Sequence, residues 1–497
     1  MHKDDQRMLV DHFNFVLNKG DKAVIIGEEG NGKSTLLKAI HNRDLVSDYA
    51  EISGSINKLG HKSGYLPQEI EDKEKSALEF FMDIDDFFEI SPKKIKEIAA
   101  SLKIDSELFY SDRPLKSFSG GEVIKLGLAH LLMEDDDILL LDEPSNNLDL
   151  KTLEFLEDFI KNSDQAILFI SHDEALINNC ANIIIHLELL RKRSLPHFTI
   201  YKGKYEDYLK TRQRAFLIQD KNAAKERSEL RKKEERYRRI YQRVDYELNT
   251  ITRQDAHGGQ LLKKKMHATK ALGRRLEKEK ANLSAFHDEE AAIMVDFEDV
   301  YIASNKRILD LSLDELRIAD RVLSCGIKLE IYGPKKIAII GDNGIGKSTL
   351  LRYINDVIDP GLKVAYMPQN YEELMDMDKI VIDFIKEERT KAELTYIATL
   401  LGSIKFKEEE MFHKIKDLSG GQKAKLFFIK MIAQKSEVLL LDEPSRNFSP
   451  LSNPVIREIL KNFKGAIIMV SHDRLLLKAV ADKIYELKSD GLKEVEL

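Results

Sequence analysis

Two pairs of acidic residues, Asp142-Glu143 and Asp442-Glu443, have the surroundings of catalytic groups. Each pair directly follows a run of four apolar residues, ILLL in the first case and VLLL in the second. Such a run is typical of a strand buried in a doubly wound parallel sheet, and these folds bind ligands beyond the carboxyl ends of their strands. The sequence therefore predicts two acidic sites at sheet edges, in two similar segments of the chain.

Two glycine-rich segments with the pattern G-x-x-x-x-G-K-S each follow a short apolar run and precede a helical pattern. This is the context of a phosphate-binding P-loop, and the alternative is a glycine-rich turn with a chance lysine. In a P-loop, backbone N–H groups face phosphate oxygens, the lysine neutralises the β- and γ-phosphates, and the serine binds Mg²⁺. The predicted nucleotide-binding residues are Gly27, Glu28, Glu29, Gly30, Asn31, Gly32, Lys33, Ser34 and Thr35, and Gly341, Asp342, Asn343, Gly344, Ile345, Gly346, Lys347, Ser348 and Thr349.

Three further motifs also occur twice, in the same order. They are a glutamine after a proline, a Ser-Gly-Gly triplet before a helical pattern, and a histidine after an apolar strand. Taken alone, each has a structural explanation, such as an ordinary helix cap for the serine. The serine, acidic and histidine motifs recur after 300 residues, the glutamine after 301 and the P-loop after 314, so the chain contains an internal repeat. The residues of these motifs are Gln68, Ser119, Gly120, Gly121 and His172, and Gln369, Ser419, Gly420, Gly421 and His472.

The composition limits the class of protein. At 497 residues with 43% hydrophobic and 33% charged residues, the chain is predicted to be globular, with about three domains. It has no apolar run of 18 residues and no signal-peptide pattern at its start. Its two cysteines, Cys180 and Cys325, fit a reducing cytoplasm and exclude a disulfide framework or a cysteine metal site.

Together, the P-loop, glutamine, SGGE or SGGQ, DEP and SHD motifs resemble those of the ATP-binding-cassette superfamily. Two such cassettes on one chain without a membrane span resemble the ABC-F class. The resemblance implies an α/β fold with two P-loop ABC ATPase domains, each with a helical subdomain, joined by a long basic α-helical hairpin. The implied domains are 1–198, linker 199–290 and 291–497, with helical subdomains at about 75–115 and 372–416.

The resemblance also implies how the motifs act on ATP with Mg²⁺. The cassettes close head to tail, so that each P-loop meets the Ser-Gly-Gly signature of the other cassette. The glutamates polarise the attacking water, and the histidines sense the γ-phosphate. The implied catalytic residues are Glu143, Glu443, His172, His472, Gln68 and Gln369. The implied Mg²⁺ ligands are Ser34, Ser348, Asp142, Asp442, Gln68 and Gln369.

One departure from the family pattern follows the second DEP strand. The first cassette continues with Leu148-Asp149, whereas the second reads RNFSP and has Ser449 in place of the aspartate. This loop normally crosses the interface between the cassettes, so the two sites are predicted to be non-equivalent. The RNFSP form resembles antibiotic-resistance ABC-F proteins of the Vga/Lsa type.

The other departure concerns the start of the first cassette. When the P-loops are aligned, Phe13–Leu17 corresponds to Ile327–Ile331, and strand-like Val295–Ile302 corresponds to positions before residue 1. The first cassette is therefore predicted to lack an opening strand, the region that in this family brings the aromatic residue that stacks on adenine. Tyr301 is the candidate in the second cassette. Either the reading frame starts upstream of Met1, or the first site binds adenine poorly.

A basic segment separates the cassettes. Residues 202–280 hold 24 Lys+Arg and 12 Asp+Glu, a net charge of +12, which leaves −19 for the rest of a chain of −7. A solvated spacer is the ordinary explanation of a charged segment, but a positive excess on an acidic protein favours docking to RNA phosphates.

The same segment is predicted to form two antiparallel helices. The first runs from about Tyr205 to Thr252, and the chain reverses at His257-Gly258-Gly259. The rings of Tyr237, Tyr241 and Tyr246 are of a kind on which RNA bases can stack. Packing of such rings within the hairpin is the more common alternative. In the ABC-F class the linker approaches the P-site tRNA and the peptidyl-transferase centre, and here its tip is expected near 250–262.

Three functions compete. The first is ribosome protection by a cytoplasmic monomer whose cassettes pair within the chain, and whose linker contacts ribosomal RNA and P-site tRNA. It would counter lincosamide, pleuromutilin or streptogramin A antibiotics. The second is a housekeeping factor that relieves stalled ribosomes. The third is the ATPase half of an exporter, which gives no reason for the basic hairpin. A DNA-repair ATPase is more remote, because it would need a longer coiled coil or zinc cysteines.

Overall fold

The structure, a computed structural model, describes residues 7–70, 72–146, 148–189, 195–250, 256–281, 300–319, 321–385, 390–403, 406, 410–446 and 448–496. By its internal contacts the chain divides into two compact units. One consists of Met1–Tyr205 with Glu290–Leu497, and the other of Glu206–Glu289. The first unit contains both repeats, which we call cassette one (residues 7–205) and cassette two (residues 300–496).

Cassette one is built on a six-stranded sheet. Its strands are β1 (Lys22–Ile26), β2 (Ser63–Leu66), β3 (Ile138–Asp142), β4 (Ala166–Ile170), β5 (Ile183–Leu189) and β6 (Leu195–Lys202). They lie in the order β2-β3-β4-β1-β5-β6, and all pairs are parallel except β5 with β6. The central strands are apolar throughout because helices cover both faces of the sheet. The acidic end of β3 therefore lies at the same carboxyl edge as the end of β1, with β4 between them.

Helices of cassette one supply both the cover and the helical subdomain. They are α1 (Lys33–His41), α2 (Ala77–Phe81), α3 (Pro92–Ser101), α4 (Gly120–Met133), α5 (Leu150–Asn162) and α6 (Glu174–Cys180). The subdomain predicted at about 75–115 contains α2 and α3 with short 3₁₀ turns. Its aromatic core centres on Phe81, whose ring lies 4.9 Å from that of Phe109 and 5.7 Å from that of Phe87.

The second compact unit consists of two long helices, α7 (Tyr205–Thr250) and α8 (Ala256–Ala281). They run antiparallel, since Lys233 pairs with Glu279 and Lys280 pairs with Glu234. We predicted the reversal at His257-Gly258-Gly259, and this was wrong, because these residues form the first turn of α8. The helices are connected by residues 251–255, which lie outside the described part of the chain.

Cassette two repeats the topology of cassette one. Its elements are β7 (Arg307–Ile318), β8 (Arg321–Tyr332), β9 (Lys336–Ile340), α9 (Lys347–Val357), β10 (Val364–Met367), α10 (Val381–Ile385), α11 (Lys391–Ser403), α12 (Gly420–Ala433), β11 (Val438–Asp442), α13 (Asn453–Asn462), β12 (Ala466–Val470), α14 (Arg474–Val480), β13 (Lys483–Lys488) and β14 (Gly491–Val495). The sheet order β10-β11-β12-β9-β13-β14 matches that of cassette one strand for strand. The predicted fold class, two α/β domains each built on a largely parallel sheet, is therefore confirmed.

The cassettes differ at their beginnings. Cassette two opens with the antiparallel pair β7 and β8. Shifted by the P-loop offset, β8 corresponds to residues 7–18, which form no strand. Of the strand predicted at Val295–Ile302, residues 300–302 belong to no strand, and residues 295–299 lie outside the described residues.

Candidate nucleotide sites between the cassettes

The two P-loops have the backbone conformation that their glycines allow. Gly27 and Gly341, at φ 147° and 148°, take the chain out of the central strand. A Cβ atom at Gly27 would collide with the carbonyl oxygen of Leu187, and one at Gly341 would lie 2.7 Å from that of Leu487. Only glycine fits at either turn. Glycine is required both because φ is positive and because the backbone of β5 or β13 approaches closely.

The two P-loop lysines lie across their own loops. Lys33 Nζ donates to the carbonyl oxygens of Gly27 at 2.9 Å and Glu28 at 3.0 Å. Lys347 Nζ does the same with Gly341 at 2.8 Å and Asp342 at 3.0 Å. Burial lowers the pKa of Lys347, against the opposing effect of Glu443. Each ammonium group is thus held inside the loop, where it can meet phosphate charge.

Oxygen ligands suited to Mg²⁺ lie next to each P-loop. The Ser34 hydroxyl donates to Asp142 Oδ1 at 3.0 Å, and the Tyr65 hydroxyl donates to Oδ2 at 3.0 Å. In cassette two, Asp442 Oδ1 is buried without a hydrogen-bond partner in the described structure. Burial raises the pKa of both aspartates.

This donor set fits Mg²⁺. Among the described residues no group of three His, Cys, Asp or Glu side chains could hold a metal alone. A hydroxyl and a carboxylate that leave room for phosphate and water suit an ion that binds with one or two protein oxygens.

Glu143 lies in a polar and cationic environment. His172 Nε2 is 3.1 Å from Oε1, while Asn146 and Gln68 donate to Oε2 at 2.6 Å and 3.3 Å. Burial alone would raise the pKa of Glu143, but His172, Lys33 and Asn146 lower it to about 2. The structure thus brings the predicted glutamine, histidine and glutamate of cassette one together around one carboxylate.

Glu443 lies in a less polar environment. Its nearest donors are the Ser471 hydroxyl at 3.4 Å and the His472 backbone N–H at 3.3 Å. His472 Nε2 lies 3.8 Å from Glu443 Oε1, and both ring nitrogens are buried without a hydrogen-bond partner among the described residues. Burial raises the pKa of Glu443 to about 7, and burial together with the charge of Lys347 lowers the pKa of His472 to about 4. Gln369 lies exposed just after β10.

Both glutamates have a left-handed backbone, with φ 49° at Glu143 and 50° at Glu443. A non-glycine residue in this region stores about 1–3 kcal/mol of strain, and such strain concentrates at functional sites. Both proposed bases share this strained backbone, which is consistent with a functional role for the two positions.

The signature of cassette two meets the P-loop of cassette one. Ser419 caps α12 in a reciprocal capping box with Gln422, and Ser119 caps α4 in the same way with Glu122. The Gly421 N–H donates to the carboxylate of Glu29. The N-terminus of α12 therefore accepts an anion in this structure, as expected of a free helix N-terminus.

Lys425 and Ser452, which the motif analysis missed, lie beside this contact. Glu28, only 6% exposed, accepts hydrogen bonds from Ser449 at 2.8 Å, Ser452 at 3.1 Å and Lys425 at 3.2 Å. Burial would raise the pKa of Glu28, but Lys425 and Ser449 hold it below its usual value. The sequence signal for this contact was the serine at position 449 in place of the family aspartate. An aspartate there would face the carboxylate of Glu28.

The second interface has different contacts. Lys151 Nζ donates to Asp342 at 2.9 Å. Burial would raise the pKa of Asp149, but hydrogen bonds from Thr152 and the Asn343 backbone lower it. The P-loop of cassette two thus contacts Asp149 of cassette one, the aspartate that cassette two replaces by Ser449. Tyr301, the adenine candidate, is 80% exposed.

These paired motifs can be compared with known proteins. The family model described as ABC transporter matches residues 10–146 and 325–446, more than half of the chain. The chain belongs to the ABC transporter family. Its cassettes are ATPase domains of that family, and ATP hydrolysis is therefore its reaction. Among the described residues, no helix is long and apolar enough to span a membrane.

Similar proteins of this family carry F-family or ribosome-related names. The chain is 28% identical over 527 residues to ABC transporter F family member 2 of Arabidopsis thaliana, covering 96% of this chain and 74% of the relative. It is also 28% identical to the ribosome protection protein VmlR of Bacillus subtilis, covering 97% and 84%. A crystal structure of the archaeal ribosome recycling factor aABCE1 with a stalk protein shares the fold at TM-score 0.57 and 18% identity, covering 97% and 87%. The two relatives found by sequence support the ABC-F assignment, and the solved structure shows the fold alone.

Proposed function

We propose that this chain is a cytoplasmic ABC-F protein that binds ribosomes with ATP and protects them from antibiotics of the peptidyl-transferase centre. Hydrolysis of ATP would drive its release. The similarity to VmlR supports ribosome protection, and the RNFSP form supports it further. The observation that carries the proposal is the basic hairpin of α7 and α8.

The hairpin presents its charge outward. Lys263, Lys264 and Lys265 are exposed on one turn of α8, and Arg274 and Arg275 are exposed further along. Exposed cations on a +12 segment suit the phosphates of RNA, whose neutralisation makes binding strongly dependent on salt. By the ABC-F resemblance, the end of this hairpin would approach P-site tRNA and the antibiotic site.

The tyrosines of the hairpin divide into two groups. Tyr237 and Tyr241 lie with ring centroids 5.9 Å apart and are half-buried within the unit. Tyr246 is 70% exposed, so it is the tyrosine that we propose for contact with RNA bases.

For hydrolysis, we propose that Glu143 and Glu443 are the general bases and that Ser34 with Asp142, and Ser348 with Asp442, hold Mg²⁺. Bound Mg²⁺ would neutralise charge on the phosphates. The lysines and the P-loop N–H groups would position those phosphates, and the signature glycines of the opposite cassette would close over them. Gln68, Gln369, His172 and His472 would orient the reacting groups.

A housekeeping role in relieving stalled ribosomes is the second candidate. It is favoured by the equal identity to an F-family protein whose name carries no mention of protection. It predicts ribosome binding and an effect on growth, but no change in drug susceptibility.

Expression in a drug-sensitive host distinguishes the candidates. We expect the wild type to raise the inhibitory concentration of lincosamides, pleuromutilins or streptogramin A. Lys263→Glu/Lys264→Glu/Lys265→Glu should lose this effect and should no longer pellet with ribosomes at low salt. The matched control Lys93→Glu/Lys96→Glu/Lys379→Glu changes the same charge on exposed residues of the cassettes and should keep both. Resistance that survives the hairpin variant would contradict the proposal, and resistance with drug efflux but without pelleting would indicate an exporter ATPase.

A further inference from the structure

Two ion pairs join the cassettes through the helices that follow their acidic and histidine motifs. Arg457 on α13 donates both of its terminal nitrogens to the carboxylate of Glu174 on α6, at 2.6 Å and 3.0 Å. Arg474 on α14 donates to Glu157 on α5. Both glutamates are buried, at 8% and 6% exposure, and neither arginine side chain is more than 22% exposed.

These two pairs are related by the internal repeat. Residues 157 and 457 occupy equivalent positions, as do 174 and 474, at the same offset of 300 that relates the acidic and histidine motifs. In a two-fold interface, residue i contacts residue j while j contacts i. Here 157 contacts 474 and 174 contacts 457, which is the pattern of a pseudo-two-fold contact.

The charges break this symmetry completely. At both equivalent positions cassette one has glutamate and cassette two has arginine. A pairing of two copies of cassette one would place Glu157 against Glu174 twice, and a pairing of two copies of cassette two would place Arg457 against Arg474 twice. Removing one partner of a buried ion pair, or replacing it with a like charge, is strongly unfavourable because the remaining charge is buried without compensation.

We propose that these four residues form a charge code that lets each cassette pair only with the unlike cassette. The surface on α5 and α6 of cassette one thus fits one partner, the basic surface on α13 and α14 of a cassette two. In one chain this selects pairing between its own halves, and in a crowded cell it rejects pairing between like cassettes of neighbouring chains or of related proteins.

The two glutamates depend on their arginines to different degrees. Glu157 has partners within cassette one, since Asn179 donates to it at 3.0 Å and Lys161 lies 3.7 Å away. Loss of Arg474 therefore leaves Glu157 partly compensated. Glu174 has Asp173 beside it in the sequence, so it depends on Arg457 more strongly.

The test uses two full-length variants. Glu157→Arg/Glu174→Arg has arginine at all four positions, and Arg457→Glu/Arg474→Glu has glutamate at all four. We expect each variant alone to lose at least about tenfold in ATPase activity, because like charges face each other. The fourfold exchange that combines both should recover activity to within about threefold of the wild type, since opposite charges again meet.

Mixing gives the sharper result. An equimolar mixture of the all-arginine and all-glutamate chains should regain ATPase activity and show a species of twice the mass by light scattering, because each cassette then finds an oppositely charged partner on the other chain. The control Glu97→Arg/Asp158→Arg makes the same charge change at exposed residues of cassette one and should behave as the wild type.

Three outcomes would overturn the proposal. They are wild-type activity in either two-residue variant, no recovery in the fourfold exchange, and no recovery or doubling of mass in the mixture. If a two-residue variant fails to fold, the mixture is not interpreted and the fourfold exchange decides, because that exchange must still fold and function if the code is real.

Discussion

At the scale of single residues, the two proposed general bases differ in their protonation. A general base acts as its carboxylate, so its pKa sets the pH range in which it works. The pKa of Glu143 is about 2, so this residue is ionised at every working pH. The pKa of Glu443 is about 7, so this residue is mostly neutral at pH 6 and mostly ionised at pH 8.

We therefore expect the two sites to respond differently to pH. In Glu143→Gln the remaining turnover comes from Glu443 and should rise about tenfold between pH 6 and pH 8, following the ionised fraction. In Glu443→Gln the remaining turnover comes from Glu143 and should stay nearly flat. Steady-state ATPase assays of both variants across this range provide the test. A parallel rise in both variants would mean that a group other than Glu443 controls it.

Ser449 gives a second prediction at the same scale. In the structure the Ser449 hydroxyl donates to the buried carboxylate of Glu28 at 2.8 Å. Ser449→Asp restores the family aspartate but places a second carboxylate against that of Glu28. A buried charge that loses its partner destabilises a protein by about 3–5 kcal/mol. We therefore expect ATPase activity and closure of the cassettes to fall sharply in Ser449→Asp.

Glu28→Gln in the same chain should restore much of the loss caused by Ser449→Asp, because Lys425 can then pair with the new aspartate. The control is Ser53→Asp on an exposed loop, which makes the same change of side chain. If Glu28→Gln gave no rescue, the two side chains would not interact in the working protein.

At the scale of elements, the hairpin depends on one close approach of its helices. A Cβ atom at Gly273 would lie 2.6 Å from the Tyr237 hydroxyl oxygen and 2.9 Å from the ring carbon that bears it. Glycine in a helix costs about 1 kcal/mol relative to alanine, so its presence here is explained by the tyrosine of the other helix.

Gly273→Val should therefore destabilise the hairpin even though valine is the better helix former. We expect loss of helical signal and a lower melting temperature by circular dichroism. Ala271→Val, at an exposed position of the same helix, should have little effect. Adding Tyr237→Ala to Gly273→Val should recover stability, and no recovery would mean that the valine acts elsewhere than against the tyrosine.

The elements also show where sequence interpretation succeeds. The strand that ends in Asp142-Glu143 was predictable because its apolar run and acids are local and occur twice. The reversal at Gly258-Gly259 was placed wrongly because packing between two long helices outweighs a glycine penalty of about 1 kcal/mol per residue. The bonds of Glu28 were not predictable, because they depend on how segments about 400 residues apart in the chain meet.

At the scale of the whole molecule, the interface between the cassettes combines unequal sites with a directional set of charges. Glu28 and Glu29 of one P-loop are bound to cassette two, while the other P-loop is bound through Lys151. On the proposed function, closing and opening of this interface is the change by which ATP would act on ribosome binding, because both P-loops and the signature of cassette two make contacts across it.

Blocking hydrolysis should therefore hold the protein on the ribosome. We expect Glu143→Gln/Glu443→Gln to lose at least about 100-fold in turnover, the usual contribution of a general base, and to pellet with ribosomes in ATP at low salt. The bound fraction should fall steeply as salt rises, and the slope should decrease by about 1 for each hairpin lysine removed that contacts a phosphate. Lys33→Ala/Lys347→Ala, which removes both P-loop ammonium groups, should not pellet in ATP. Wild-type turnover in the double glutamine variant would refute the assignment of the bases. Loss of turnover in that variant without pelleting would refute only the proposed ribosome binding.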